Sequence, residues 1–437
     1  MYKKLIIFSC FILYTASLFS QNEKGYNIRI ELTDREDETL FITGNYGYDF
    51  FIFDSAQMGK GIALFKHKDK IIPDGIYQLT NRRGDSYFEF IVDKDRNFQI
   101  STSAKNPYLK STISNSEENV VFFEYQKMKM FNEELPQNYI DNFTETSPNS
   151  LISIYIKANE FRPNIPDFYQ KDGITPDTFA GYLYLKKHFF DNITFSDSRI
   201  LHVPVNYGID LFFGRIISQK ADSINREIDQ FMANISDEEI RNYFLRHLLH
   251  LFDNDNPAYD AVLVHLFDTF CPNGQCEWLD ENSFRRFSRN IKRKRITLPG
   301  EKIPELAAYD RNEQIINTKD IDNLIIILWF WDPDCDDCLE QTPKLFQFYK
   351  TYKNVYDIEV YAVSVTEDLD RWEHFIDENC LDWVNVSYAK GEPNYEFIDY
   401  FDLITTPGIF LIDKNHIIID RQFPLDDLLE KIENYNK

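Results

Sequence analysis

The sequence predicts a multidomain α+β protein in three parts: a small N-terminal β-sandwich or barrel, an α-helical middle domain and a C-terminal α/β domain. Three observations predict it. Residues 21–113 alternate apolar and polar side chains in short runs, residues 114–297 carry helix-capping signals ahead of apolar residues, and the continuous apolar run Leu324 to Trp331 opens an alternation of strands and helices from residue 298 to 437. A chain of 437 residues accommodates three parts, since domains run to about 100–200 residues each.

The chain opens with Lys3 and Lys4, an apolar stretch from Leu5 to about Tyr14, and small residues ending at Ser20 before Gln21-Asn22. That is the layout of a secretory signal peptide, residues 1–20, cleaved after Ser20. A lipid anchor on Cys10 is disfavoured by Phe8 two positions before it and by the apolar run that follows. No later segment reaches the roughly 20 apolar residues of a membrane span. The mature chain is therefore expected to be exported, periplasmic or in the cell envelope, and not membrane-spanning. Disulfides persist in such a compartment.

In residues 21–113, Tyr26, Ile28, Ile30 and Leu32 alternate with Asn27, Arg29 and Glu31, the period of a half-buried strand. Further short runs, from Leu40-Phe41-Ile42 to Phe98-Gln99-Ile100, are separated by clusters such as Pro73-Asp74-Gly75 and Arg83-Gly84-Asp85. About seven strands are expected.

In residues 114–297, Ser114-Asn115-Ser116-Glu117 reads as a capping box opening a helix with Val120, Val121, Phe123 and Tyr125. Thr175-Pro176-Asp177 reads as an N-cap, a proline at the first helical position and an acidic second position. Ser236 to Glu239 caps a helix carrying Ile240, Phe244, Leu248 and Leu251. Seven of the eleven residues from Arg285 to Arg295 are basic. They read as a solvated helix face leading into a linker at Leu298-Pro299-Gly300, with docking onto acidic surfaces as the alternative.

The formal charge, 47 Lys and Arg against 71 Asp and Glu for a net −24, excludes nucleic acid as the main partner, because a phosphate backbone demands clustered cations.

The chemistry is concentrated in Trp331-Asp332-Pro333-Asp334-Cys335-Asp336-Asp337-Cys338, where the buried strand turns into a helix. At a helix N-terminus the free N–H groups and the dipole stabilise the Cys335 thiolate, the form that attacks a disulfide. Cys338 lies one turn on, within reach to resolve a mixed disulfide. Aspartates at 332, 334, 336 and 337 oppose thiolate formation and predict a less acidic Cys335 and a reducing poise.

Cys271-Pro-Asn-Gly-Gln-Cys276 closes a tight loop and reads as a structural disulfide, with a second exchange pair as the alternative. Cys380 is left over and is expected to pack as a small buried apolar group. A zinc site on Cys271, Cys276, Cys335 and Cys338 matches compact zinc ribbons poorly, and His247, His250 and His265 lack the glutamate of a metalloprotease motif, so no metal is expected. The proline and Ser/Thr of a peroxiredoxin signature are absent, with Leu328 and Asp332 in their places.

Residues from about 298 to 437 resemble a thioredoxin-fold domain of the TlpA/ResA-like kind, on the CxxC and on Thr405-Thr406-Pro407-Gly408 ahead of the strand Ile409 to Ile412. The three-part order also resembles exported multidomain thioredoxin-like proteins whose leading domains have no assigned function. The resemblance implies a thioredoxin-like α/β domain and a thiol-disulfide oxidoreductase. Cys335 and Cys338 would be catalytic, and Thr406 and Pro407 would form a cis-proline loop that pairs with substrate. Trp331 and Asp334 are assigned to substrate binding beside them. It implies protein disulfides as substrates, a membrane thiol electron donor, no organic cofactor, and an extra segment around Asp382 to Phe397. The sequence departs from the pattern at Trp329, where thioredoxin has a buried carboxylate, and at Asp334, where tryptophan is usual. The proton-transfer residue is thus unassigned. A reading of another class is a redox-inert binding or scaffold protein.

Overall fold

The computed structural model describes residues 25–131, 144–159, 163–203, 205–254, 256–271, 276, 279–389, 400–401, 403 and 405–436. The expected signal peptide lies outside them. The chain divides into two compact units, one made of residues up to Ser218 with Phe231–Tyr243, the other of Gln219–Gln230 with Phe244–Lys437.

The first unit opens with eight strands: β1 Tyr26–Leu32, β2 Thr39–Tyr46, β3 Asp49–Gln57, β4 Ile62–His67, β5 Gly75–Asn81, β6 Ser86–Val92, β7 Asn97–Thr102 and β8 Thr112–Ser114. They form two four-stranded sheets, ordered β4-β1-β7-β8 and β3-β2-β5-β6. In β1 the alternation Tyr26, Ile28, Ile30, Leu32 is buried and the residues between are half-buried. The sheets meet through aromatic rings, Phe90 on Phe98 at 6.1 Å and Tyr26 on Phe53 at 5.6 Å, separations at which tilted ring pairs attract.

Helices α1 Glu117–Met130, α2 Leu151–Asn159, α3 Thr178–His188 and α4 Asn206–Leu211 follow in this unit, and α5 Ala221–Ala233 and α6 Glu238–Phe252 are each divided between the two units. Helix α1 is clipped to β6 by buried Asn119, which accepts from the Ile91 N–H and donates to its carbonyl, both at 2.8 Å. The expected cap positions shift. Ser116, not Ser114, caps α1 by accepting from the Asn119 N–H, because Ser114 is still paired with Gln99 in β8. Asp177 caps α3 in place of Thr175; Pro176 bridges to Tyr169 and the Thr175 carbonyl accepts from Gln170, so the chain is still extended there.

In the second unit, α7 Asp260–Phe270 and α8 Glu281–Ile296 pack through Phe267 against Phe284 and Phe287. The basic run is helical to Ile296 and its Lys294 is buried. A disulfide joins Cys271 to Cys276, with Cα atoms 5.1 Å apart. The sheet of this unit has seven strands: β9 Ala307–Tyr309, β10 Ile315–Asn317, β11 Ile325–Trp331, β12 Ile358–Ser364, β13 Val384–Ser387, β14 Gly408–Asp413 and β15 Ile418–Arg421, in the order β10-β9-β13-β12-β11-β14-β15. Helices α9 Asp336–Tyr356, α10 Leu369–Asn379 and α11 Leu428–Tyr435 complete it.

Strand β11 is buried along its whole length, as a central strand covered on both faces must be. Ile325, Ile327, Trp329 and Trp331 pack with residues of α9, α10 and α11, while Ile326, Leu328 and Phe330 pack with Phe401, Phe410 and Ile303. Residues 300–303 pair with the β14–β15 hairpin, Gly300 N–H to the Ile418 carbonyl at 2.8 Å and Ile303 N–H to that of His416 at 3.0 Å. Among the described residues no helix is long and apolar enough to cross a membrane.

Candidate functional site

The site is assembled by strand register. β14 runs antiparallel to β11 with Phe330 opposite Gly408. The residues just before β14 therefore lie beside the loop that leaves β11, and those residues are Thr406-Pro407, joined by a cis peptide bond. A Cβ at Gly408 would lie 2.7 Å from Leu403 Cδ2, so a side chain there requires Leu403 to move aside.

The loop from β11 to α9 is built by its own aspartates. The Asp332 carboxylate accepts from the Asp334 N–H at 2.8 Å and its carbonyl accepts from the Cys335 N–H at 3.1 Å, the short-range bonding that makes Asp a turn former. Cys335 then caps α9, its Sγ accepting from the Cys338 N–H at 3.3 Å. That N–H is one of the unsatisfied donors of a helix's first turn. The Cys335 thiol donates to the Thr406 carbonyl at 3.3 Å. The structure thus brings Cys335, Cys338, Thr406 and Pro407 together.

Cys335 is half-buried, Cys338 is fully buried, and the two are separate thiols. Burial, and then the hydrogen bond with Cys335, push the Cys338 thiol up to about 12, since a buried group resists becoming charged. The two sulfurs have divided roles in this geometry: one reachable, the other held protonated beneath it.

Three expectations change. Trp331, assigned to substrate binding, has no exposed surface and packs at a tilt on Phe375, ring centroids 4.9 Å apart, because it is the last residue of β11 on the helix-covered side. Asp334 does not stand as a free charge beside the nucleophile: it is exposed and paired with Arg371 at the start of α10. Cys380, expected to be buried, is exposed. It ends α10 in the left-handed region at φ 51°, which turns it off the packed face.

At position 329 the indole N–H donates to the Thr342 hydroxyl at 3.1 Å in the core. Arg371 and Thr342 were not singled out from the sequence, since neither carries a local pattern. A cavity of about 440 Å³ opens here, lined by Trp329, Asp337, Gln341, Pro407 and residues 422–425, among others.

Residues 323–418 match the Thioredoxin-like family. The matched segment is a thioredoxin-like domain. The match takes in β11, the CxxC helix, the cis-proline turn and β14. No curated protein matches the chain. Among solved structures, a domain of a possible thiol-disulfide isomerase from Cytophaga hutchinsonii is similar at 28% identity, covering 32% of this chain and 93% of its own, with a TM-score of 0.30. A thioredoxin-like protein from Bacteroides caccae is similar at 16% identity over 63% of this chain and 98% of its own, with a TM-score of 0.46. A thiol:disulfide interchange protein from a Bacteroides species is similar at 22% identity over 32% and 90%, with a TM-score of 0.29.

Outside this domain, among the described residues, no group of three His, Cys, Asp or Glu side chains is placed to hold a metal ion. His265 is engaged by Asp229 at 2.8 Å.

Proposed function

We propose that the chain is an exported thiol-disulfide oxidoreductase of the TlpA/ResA-like kind that reduces protein disulfides through Cys335 and Cys338. The observation that carries the reading is the convergence on one sulfur: Cys335 Sγ lies 3.3 Å from both the Cys338 N–H nitrogen and the carbonyl oxygen beside the cis-proline.

In the forward direction the Cys335 thiolate attacks one sulfur of a substrate disulfide. That S–S bond breaks, a mixed disulfide forms on Cys335, and the first substrate thiolate leaves and takes up a proton. Cys338 loses its proton and attacks the Cys335 sulfur, releasing the second substrate thiol and leaving a Cys335–Cys338 disulfide. Two electrons and two protons pass to the substrate. A dithiol donor, by resemblance at the membrane, restores the pair. The Thr406-Pro407 backbone offers an edge on which an extended substrate segment aligns its disulfide. Export is supported by the leader at residues 1–20, and a closed Cys271–Cys276 disulfide fits an oxidising compartment.

The test is a thiol redox titration of the mature protein, with alkylation and peptide mass spectrometry resolving Cys335/Cys338 from Cys271/Cys276. A reversible couple at about −270 mV or below supports a reductase, and one near about −120 mV makes it an oxidant. A pair that never cycles moves the redox-inert scaffold to first place.

A further inference from the structure

The cavity beside the cis-proline has a wall that does not belong to the thioredoxin-like domain. Pro257 lines it together with Trp329, Asp337, Pro407 and Phe423. Pro257 opens the 3-10 turn Pro257–Tyr259 that runs directly into α7, well ahead of the matched segment at 323–418.

What ties that wall down is one carboxylate. Asp260, three residues after Pro257, is buried and bonded on both oxygens, to Lys294 Nζ at 2.5 Å and to the Arg421 guanidinium. Arg421 ends β15 and immediately precedes Gln422 to Leu425, another stretch of the lining. The Asp260–Arg421 pair therefore fixes two stretches of the cavity relative to each other, one from the helical region and one from the thioredoxin-like domain.

The lining has a definite chemistry. It is apolar at Pro257, Trp329, Ile409 and Phe423, and among the described residues it contains no lysine or arginine and its one charged side chain is Asp337, two residues after the nucleophile. Proline presents a fixed ring without an N–H, and the Pro257 carbonyl already accepts from the Asp260 N–H, so that wall offers packing and no donor. An exposed carboxylate close to an apolar surface favours an incoming cation and repels an anion, and the net −24 of the chain acts in the same sense.

We propose that this cavity receives the segment flanking the substrate disulfide, that Pro257 is a specificity-determining residue, and that the preferred segment carries apolar side chains with a lysine or arginine beside its cysteine. The proposal rests on the exchange reading above, and deepens it by naming the substrate class.

The experiment uses the full mature chain in its dithiol form and three disulfides. Two are disulfide-linked peptides rich in leucine and phenylalanine that differ only in lysine or glutamate next to the cysteine. The third is neutral hydroxyethyl disulfide, too small to fill the cavity. The lysine peptide is expected to react about three- to fivefold faster than the glutamate peptide, the range of a partly exposed ion pair. Asp337→Asn removes that preference. Pro257→Arg inverts it, and Pro257→Ala, the milder change, lowers the ratio of peptide to hydroxyethyl disulfide rates. Equal rates for the two peptides, or a ratio untouched by either Pro257 variant, overturn the proposal while leaving exchange intact. Failure of the wild-type chain to react even with hydroxyethyl disulfide overturns the exchange reading, and the proposal falls with it.

Discussion

Removing the charge of Asp260 tests the tie between α7 and the thioredoxin-like domain most directly. The side chains of Asp260 and Arg421 are each 3% exposed and that of Lys294 is 9% exposed. One carboxylate therefore faces two cations out of reach of water, and Arg421 Nη1 already has no hydrogen-bond partner. Asp260→Asn leaves both cations buried without a counter-charge, which costs about 3–5 kcal/mol when one partner of a buried pair is removed. For a unit of about 200 residues this lowers the midpoint of thermal unfolding by roughly 6–20 °C, at about 2–4 °C per kcal/mol. All five tryptophans fall between residues 278 and 383, inside this unit and none in the other, so tryptophan fluorescence reads its unfolding specifically. The triple replacement Asp260→Leu/Lys294→Met/Arg421→Met removes every charge at once and is expected to recover most of the loss, because the penalty lies in the unpaired ions. A midpoint within about 2 °C of wild type for Asp260→Asn, or a triple variant no better than the single one, would refute the reasoning.

Three further outcomes follow from the charges and thiols. Burial holds the Cys338 thiol protonated up to about 12 against an ordinary value of 9.0. Where only one thiol of the pair is charged, one proton accompanies two electrons and the potential falls by about 30 mV per pH unit; a flat potential near pH 10 in a direct titration contradicts the assignment. Asp336→Asn/Asp337→Asn lifts two negative charges from the first turn of α9 and is expected to shift the couple towards oxidising values, and an unchanged potential sinks the reducing poise. In the first unit, burial and then the charge of Asp93 raise Glu118 from 4.5 to about 7. A raised carboxyl contributes stability that is complete below its ordinary value and is lost as pH rises through 7. Glu118→Gln should therefore stabilise α1 by about 1–2 kcal/mol at pH 8, after allowance for screening at a partly exposed group, and by nothing at pH 4; hydrogen exchange of the α1 peptides measures it.

Where a local pattern alone decides the structure, the sequence is readable. The alternation of β1 becomes its buried and half-buried faces, and the unbroken apolar run of β11 becomes a strand covered on both sides. Where tertiary pairing decides, it is not. Strands β9, β10 and β13 have three or four residues each, too few to show a period, and exist because neighbours pair with them. Ser114 and Thr175 carry good cap chemistry, yet each is held extended by a partner distant in sequence or across a turn. Trp331 sits at a boundary where strand and loop readings give opposite exposures, and the strand wins. The CxxC and the Thr-Pro turn were legible as motifs, whereas the wall at Pro257 was not, since only the folded chain brings residues 257 and 423 to one cavity.

In the proposed exchange cycle, tryptophan at 329 changes what the resolving step would require. A buried carboxylate beneath the second cysteine would take its proton directly. Here that sequence position is Trp329, whose single N–H is already given to Thr342; an indole nitrogen is a donor only and accepts nothing. Cys338 is nevertheless the thiol held protonated up to about 12. Its thiol lies beside Cys335, the Asp332 backbone and Thr406, and in the proposed cycle its proton leaves on that side, where the substrate thiolate is released. In that cycle resolution is coupled to the bound substrate: a well-seated segment excludes water and brings the departing thiolate close enough to take up the Cys338 proton. Under the proposed exchange, substrate fit and proton transfer become one requirement, because no side chain at position 329 can accept the proton.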